Sequence, residues 1–220
     1  MTLLRRAIFF KSALHPEDLP PESRCEIAFA GRSNAGKSSA LNALAGHSGL
    51  AFVSKTPGRT QLINYYSLGN NRFLVDLPGY GYAKIAKRAR KPWGRILGDY
   101  LHLRAPLAGL VLVMDIRQAL TELDWNLLEW FHATGKPMHA LLSKADKLSR
   151  SEALMVLQAV RRDLSLRSPL WTAQLFSSLK RTGIDEALGV IGAWLEEEKP
   201  RERTVPDPGP KNKKPRAKGE

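Results

Sequence analysis

Short apolar runs alternate with segments of helical periodicity along most of the chain, and this alternation is typical of a mostly parallel sheet with helices on both faces. The apolar runs predict strands near 25–30, 61–68, 71–76, 109–115, 138–143 and 171–176, and helical patterns lie near 37–46, 86–104, 121–133, 149–166 and 182–197. Gly69, Asn70 and Asn71 indicate a hairpin between two of the strands. We therefore expect a three-layer α/β domain with a six-stranded sheet and one antiparallel edge strand, and residues 6–12 are a candidate for a short flanking strand.

The two ends of the chain differ from this alternating middle. The apolar stretch near the start is too short for a membrane span and is broken by Lys11 and prolines. We expect residues 1–23 to be an extension that packs on a domain of residues 24–198. Pro, Lys and Arg dominate residues 199–220, which predicts a basic, disordered tail. The single cysteine, Cys25, excludes an intramolecular disulfide and favours a reducing, cytoplasmic setting.

The overall charge points to a negatively charged partner. The 220 residues include 34 Lys or Arg against 21 Asp or Glu, which gives a net charge of +13 at pH 7. Such a balance favours a polyanion or an anionic membrane surface, and charge alone does not choose between them.

Residues 31–38, GRSNAGKS, follow the first predicted strand and have the spacing of a P-loop. A strand that turns through Gly31 and Gly36 into a helix directs backbone N–H groups and the positive helix end at one point, where phosphates bind. Lys37 would reach the terminal phosphates of a nucleotide, and the Ser38 hydroxyl would ligate a magnesium ion. A glycine turn that only caps a helix would need neither the second glycine nor Lys37.

Two further segments are placed to respond to a bound nucleotide. In RFLVDLPG, residues 72–79, Asp76 can hold a magnesium-bound water and the amide of Gly79 can meet the γ-phosphate. In TPGRTQ, residues 56–61, a threonine hydroxyl is a candidate magnesium ligand, and Thr60 is better placed than Thr56. Either segment taken alone is also compatible with an ordinary turn.

Residues 141–146, LLSKAD, follow an apolar strand and have the form of a guanine reader. The carboxylate of Asp146 can accept from the ring N–H and the exocyclic amine of guanine, a donor pair that adenine lacks. The Lys144 stem would stack over the base, and the Ser143 hydroxyl is shorter than the asparagine amide usual at that place. Phe176, Ser177 and Ser178 end the next strand and are candidates for backbone contact with the guanine carbonyl oxygen.

The order of GRSNAGKSS, TPGRTQLINYY, VDLPGYGYA, SKAD and FSS in a chain of this length resembles the bacterial EngB (YihA/YsxC) GTPases, of the TrmE-Era-EngA-EngB-Septin-like class. The resemblance implies a P-loop GTPase needed for normal cell division and septation, acting in assembly of the large ribosomal subunit. It implies magnesium ligands at Ser38 and Thr60. The nucleotide contacts that it implies are Gly31, Arg32, Ser33, Asn34, Ala35, Gly36, Lys37, Ser38, Gly58, Arg59, Thr60, Gln61, Leu62, Asp76, Leu77, Pro78, Gly79, Ser143, Lys144, Ala145, Asp146, Phe176, Ser177 and Ser178. The family more often has threonine where this chain has Ser143, and both residues carry a hydroxyl.

The predicted hydrolytic machinery is incomplete. Ras-like GTPases orient the attacking water with a glutamine directly after the DxxG glycine, and this chain has Tyr80 there. We therefore expect slow turnover that depends on Lys37 and Gly79 unless a partner, an ion or a loop rearrangement completes the site. Asn34 is a candidate potassium ligand, although asparagine also simply tolerates the backbone conformation of such a loop. Gln61 is a second candidate for catalysis, and a role in stabilising the loop fits it equally well.

The basic run KIAKRARKPWGR, residues 84–95, follows the nucleotide-sensing loop and contains no acid. With Tyr82 and Trp93 it suits ribosomal RNA or a large-subunit precursor, while a solvated helix face with Trp93 packed inward explains it equally well. No DNA partner and no transmembrane segment are predicted, and a monomer is the default.

Three functions follow from these patterns. The first is a GTP switch in ribosome assembly, and the second is a nucleotide-regulated scaffold at the septum or membrane. The third, an ATP-dependent kinase, is disfavoured by Asp146.

Overall fold

The computed structural model of the chain describes residues 3–51, 62–81 and 98–196. Seven strands lie in these ranges: β1 (Ile8–Ala13), β2 (Cys25–Gly31), β3 (Ile63–Gly69), β4 (Arg72–Asp76), β5 (Leu107–Asp115), β6 (Met138–Ser143) and β7 (Trp171–Leu175). The helices are α1 (Lys37–Ala45), α2 (residues 98–103), α3 (Glu122–His132), α4 (Arg150–Ser165) and α5 (Ile184–Glu196). Short 3-10 turns at Leu3–Arg6, Pro16–Asp18, Ile116–Gln118 and Ala145–Lys147 complete the described elements.

The strands form one sheet in the order β1-β3-β4-β2-β5-β6-β7. The five strands from β4 to β7 in this order are parallel, whereas β3 is antiparallel to both β4 and β1. The predicted α/β class and the predicted antiparallel strand are therefore confirmed. The sheet has seven strands instead of six, because the candidate flanking strand near the amino terminus pairs with β3 and takes the edge position.

The hairpin between β3 and β4 has the expected chemistry. Asn70 and Asn71 have φ of 52° and 56°, the left-handed conformation that a tight two-residue hairpin turn requires and that asparagine adopts readily. The turn pairs β4 with β3, and the other edge of β4 pairs in parallel with β2, so that the segment after β4 lies next to the loop after β2.

Helices cover both faces of the sheet. Side chains of α2, α3 and α4 pack in one apolar cluster, and those of α1 and α5 pack in a second cluster on the other face. Helices α3 and α4 begin with capping boxes in which Thr121 pairs with Asp124 and Ser149 with Glu152. The helix starts are thus fixed by local sequence, and the layers agree with the predicted architecture.

Several predictions concern residues outside the described ranges. They include the segment 56–61 with Thr60, the basic run 84–95, and the tail 199–220. None of the helices within the described ranges combines the length and apolar character that a membrane crossing requires.

Candidate functional site

The predicted site residues meet where the parallel strands end. Gly31, Asp76, Asp115 and Ser143 are the last residues of β2, β4, β5 and β6. Ligands of open α/β sheets bind in the crevice outside these carboxyl ends. The structure brings together residues 31–38, 76–79, 143–146 and 176–178 there, while residues 58–61 lie outside the described part and Leu62 is partly exposed.

The loop between β2 and α1 has the backbone form that the glycine spacing predicts. Every residue of β2 is buried, so the strand fixes the start of the loop in the centre of the sheet. Gly36 caps α1 with φ of 97° and has no side chain to occupy the amides of the first helical turn. Asn34 also lies in the left-handed region, with φ of 65°. Free amides at the start of a helix form a site for an anion.

The Lys37 ammonium contacts the Asp76 carboxylate in this loop. Both side chains are nearly buried, with 11% and 8% of their surfaces exposed. A buried ammonium needs an anionic partner. Lys37 is thus held at the mouth of the loop by Asp76, the acid that the sequence predicts to hold a magnesium-bound water.

The segment after β6 is fastened to the phosphate-binding loop. The Ser143 hydroxyl donates to the backbone oxygen of Ala35, and the Lys144 ammonium donates to the backbone oxygen of Asn34 over 2.8 Å. Lys144 also forms an ion pair with Asp115 at 3.0 Å. These contacts fix the distance between the predicted base-binding and phosphate-binding segments.

Asp115 was not found from the sequence, although it ends β5 beside this segment. Its carboxylate accepts from Arg117 Nε and Nη2 at 2.9 and 2.7 Å and pairs with Lys144. The hydrogen bonds from Arg117 lower the pKa of Asp115, and those from Lys144 add to the effect. An ionised Asp115 therefore orients Lys144. The sequence does contain a signal for Asp115: like Asp76, it is an acid at the end of an apolar strand.

The acid predicted to recognise guanine is held by the segment after β7. The Ser177 hydroxyl donates to Asp146 Oδ1 at 2.5 Å, and the amide of Ala145 donates to the backbone oxygen of Phe176 at 3.1 Å. The hydrogen bond from Ser177 lowers the pKa of Asp146, so the carboxylate is ionised at neutral pH. An ionised carboxylate accepts hydrogen bonds only, as recognition of the guanine N–H groups requires.

The loop after β4 packs directly on the phosphate-binding loop. A β-carbon added to Gly79 would lie 3.2 Å from Ser33 Oγ and 3.4 Å from Ser33 N, so glycine permits this close approach. Tyr80 N donates to Gly31 O over 3.3 Å, and Ser33 N donates to Tyr80 O over 3.0 Å. Tyr80 itself is buried and turned away from the loop, toward Asp124.

The donor set also bears on magnesium. No group of three or more His, Cys, Asp or Glu that could hold a metal occurs among the residues described. Magnesium in nucleotide sites uses one or two protein oxygens together with phosphate and water oxygens, so a dedicated carboxylate cage is not needed. The hydroxyl of Ser38, in the first turn of α1, and the carboxylate of Asp76 are hard oxygen donors that fit this requirement.

Arg32 has a different position from its neighbours. Its Nη2 donates to the backbone oxygen of Gln118 at 2.7 Å, and its Nε lies 3.6 Å from Asp124. The side chain therefore faces α3, while its backbone is part of the phosphate-binding loop.

Comparisons with known proteins agree with this geometry. A family model described as a 50S ribosome-binding GTPase matches residues 26–144. The "Probable GTP-binding protein EngB" of Methylobacillus flagellatus is 58% identical over 195 residues, which cover 89% of this chain and 94% of that protein. The protein of the same description from Neisseria meningitidis serogroup B is 54% identical over 198 residues, covering 89% and 94%.

Solved structures support the fold. The crystal structure of a probable GTP-binding protein engB superposes with a TM-score of 0.63 at 21% identity and covers 79% of this chain and all of that one. Era in complex with MgGDPNP and a 16S ribosomal RNA fragment gives a TM-score of 0.62 at 21% identity, covering 80% of this chain and 58% of that one. At these identities the similarity concerns the fold alone.

Proposed function

Because this chain belongs to the EngB family of GTPases, we propose that it is a GTP-operated switch with slow intrinsic hydrolysis that acts in assembly of the large ribosomal subunit. The observation that carries the proposal is the direct fastening of the predicted guanine reader to the phosphate-binding loop, through Ser143 and Lys144. A nucleotide that spans both segments would contact guanine-selective Asp146 at one end and Lys37 at the other.

The residues of the site take the following roles in this proposal. The nucleotide phosphates occupy the start of α1, where Lys37 turns from Asp76 to the terminal phosphates. Ser38, Thr60 and Asp76 would hold a magnesium ion, directly or through water, and the ion would supply positive charge beside the phosphates. Gly79 presents its amide to the γ-phosphate. The remaining residues implied by the family resemblance line the nucleotide as predicted from the sequence.

Slow hydrolysis rests on Tyr80. This residue is buried against Asp124, and a phenol in that position neither orients nor activates water at the phosphates. Single-turnover hydrolysis of GTP by the purified chain, with and without ribosomal particles, tests the rate. Fast hydrolysis by the chain alone would contradict this part of the proposal.

Potassium is a candidate activator through Asn34. The backbone oxygen of Asn34 accepts from Lys144, so the side-chain amide oxygen is the atom that we propose as a ligand for a cation beside the phosphates. The left-handed φ of 65° would also select asparagine without any ion. Turnover in potassium and in sodium, for the unaltered chain and for Asn34→Ala, separates the two accounts. Equal rates in all four measurements would reject potassium activation.

A large-subunit precursor is the partner that we propose. The proposal also includes the role in normal cell division and septation that the family resemblance implies, and a cytoplasmic location. The support is the description of the matching family model and the net charge of +13, which suits an RNA surface. Binding to ribosomal particles should weaken steeply as salt rises and should differ between GTP and GDP. Salt-insensitive association would count against RNA as the partner.

The alternative role is a nucleotide-regulated scaffold in septation or at a membrane, since a basic chain also suits an anionic membrane surface. Depletion of the protein distinguishes the two. A deficit of large subunits in ribosome profiles supports assembly, whereas normal profiles with failed septa support the scaffold.

A further inference from the structure

Tyr80 is anchored by a fully buried acid. Its hydroxyl donates to Asp124 Oδ1 at 2.7 Å, and Asp124 has no exposed surface. Burial raises the pKa of Tyr80 well above its usual value, and the charge of Asp124 raises it further. The phenol therefore remains a hydrogen-bond donor to Asp124 throughout the physiological pH range.

Asp124 joins three separate parts of the structure. Its Oδ2 accepts from the amide and hydroxyl of Thr121, which fixes the start of α3. Its Oδ1 accepts from Tyr80, which follows β4, and lies 3.6 Å from Nε of Arg32 in the phosphate-binding loop. We call Arg32, Tyr80, Thr121 and Asp124 the Asp124 cluster.

The cluster also fixes backbone beside the phosphates. Tyr80 and Arg32 form a parallel bridge, in which Tyr80 accepts from Ser33 N and donates to Gly31 O. Gly79, one residue earlier, is thereby held in contact with Ser33. The hydrogen bond from the Tyr80 hydroxyl to Asp124 and the backbone bridge to Gly31 and Ser33 both hold residue Tyr80. Loss of the hydroxyl should therefore weaken the backbone bridge.

We propose that Asp124 is a positioning residue. It holds the Tyr80 hydroxyl and thereby keeps the backbone amide of Gly79 in the position where it would contact the γ-phosphate. The proposal rests on the proposed role of Gly79 as the residue that senses this phosphate. A loop ordered in advance loses less conformational entropy when the phosphate binds. The cluster should therefore favour nucleotides that carry a γ-phosphate and have no effect on those that lack it.

The test compares affinities for GDP and for the non-hydrolysable analogue GMPPNP. In Tyr80→Phe the ring remains and only the hydroxyl is lost, and we expect GMPPNP affinity to fall about three- to tenfold while GDP affinity stays within about twofold. Tyr100→Phe is the matched control, because the Tyr100 hydroxyl donates to another buried carboxylate, that of Glu26, over 2.8 Å. Tyr100→Phe should lose about as much stability as Tyr80→Phe. Its ratio of GMPPNP affinity to GDP affinity should equal that of the unaltered chain.

A second variant tests whether Asp124 acts through Tyr80. Asp124→Asn should also lower the ratio of GMPPNP affinity to GDP affinity. The double variant, Asp124→Asn with Tyr80→Phe, should lower this ratio no further than the more affected single variant does. In steady-state hydrolysis, the single variants Tyr80→Phe and Asp124→Asn should raise KM for GTP or lower kcat. The inhibition constant of GDP should stay unchanged. An unchanged ratio in Tyr80→Phe, equal losses for both nucleotides, or additive effects in the double variant would overturn the proposal. Failure of the proposed nucleotide site would be distinct, because the unaltered chain would then bind neither nucleotide.

Discussion

The ammonium of Lys37 contacts the carboxylate of Asp76 where the phosphate-binding loop meets the end of β4. The pair joins the residue expected to bind phosphate to the residue expected to bind the magnesium-bound water. Because each would otherwise be a nearly buried, uncompensated charge, the contact stabilises both side chains and holds the end of β4 against the loop. In the proposed function, a phosphate of the bound nucleotide would replace Asp76 as the anionic partner of Lys37.

Replacement of Lys37 by alanine should lower the affinity for GTP and GDP by about 100-fold, since charge-assisted hydrogen bonds contribute roughly 1.5–3 kcal/mol each. Asp76 would in addition face the phosphates without a cation. Titration with fluorescent guanine nucleotides measures the loss. Lys147→Ala, at an exposed lysine close to the base-binding segment, is the control and should bind normally. Undiminished binding by Lys37→Ala would show that the phosphates lie elsewhere.

Replacement of Asp146 by asparagine should change the choice of base. The ionised carboxylate accepts two N–H groups from guanine, whereas an amide offers one donor and one acceptor, the pattern that matches xanthine. We expect GDP affinity to fall about 10- to 100-fold and XDP affinity to rise above it. Competition between the two nucleotides gives the ratio, with Asp163→Asn on the surface of α4 as the control. A loss of both affinities would instead indicate a structural role for Asp146.

The Ser143 hydroxyl should matter for its bond to Ala35 more than for contact with the base. Ser143→Ala breaks this bond and should lower GDP affinity about three- to tenfold, because a buried carbonyl loses its donor. Ser143→Thr keeps the hydroxyl and should restore affinity to within about twofold of the unaltered chain. Nucleotide titration of both variants tests this. Equal losses in the two would mean that the size of the side chain, and not the hydroxyl, governs the segment.

Sequence alone predicted the segments whose chemistry is contiguous. The phosphate-binding loop is eight consecutive residues after a buried strand, and its glycines and Lys37 are marked by spacing. Asp146 was marked in the same way, by its place after β6. Helix starts at Thr121 and Ser149 carried local capping signals, and periodicity indicated the approximate position of the other elements in the described ranges.

Contacts between distant segments could not be predicted in this way. Tyr80 and Asp124 are 44 residues apart, and Ser143 and Ala35 are 108 apart. Nothing in either local sequence marks the partner, because the topology of the sheet decides which strand ends meet. The sequence marks the edge strand β1 only as a candidate, because its apolar residues are consecutive and do not alternate with polar ones. In the structure Phe9 and Phe10 are both half exposed.

His139 predicts how stability depends on pH. Burial between Thr172 and Gln174 lowers its pKa below the unfolded value of about 6.5. Between the two pKa values the unfolded chain binds more protons, so the free energy of unfolding should be full above about pH 6.5 and fall as pH decreases toward the folded pKa. Urea unfolding from pH 7.5 to 5.5 measures the slope. His139→Gln should have a shallower slope than the unaltered chain, and the exposed control His47→Gln should not.

Glu26 supplies the last prediction, which concerns the end of the sheet opposite the nucleotide site. Its fully buried carboxylate accepts from Tyr65, Tyr100 and Arg104, and so joins β2, β3, α2 and the residue after α2. Glu26→Gln would leave the partly buried guanidinium of Arg104 without its anion and should lower the free energy of unfolding by about 3 kcal/mol.

The matched control for Glu26 is Glu129→Gln, which breaks a half-exposed ion pair with Arg167 and should cost less than about 1 kcal/mol. Urea denaturation of both variants gives the comparison. Glu26 is near the start of β2, at the end of the sheet opposite the nucleotide site. We therefore expect Glu26→Gln to lower stability and to leave the ratio of GTP-analogue affinity to GDP affinity unchanged, although the same strand leads into the phosphate-binding loop. A changed ratio would mean that this buried network, and not the Asp124 cluster alone, positions the loops around the phosphates.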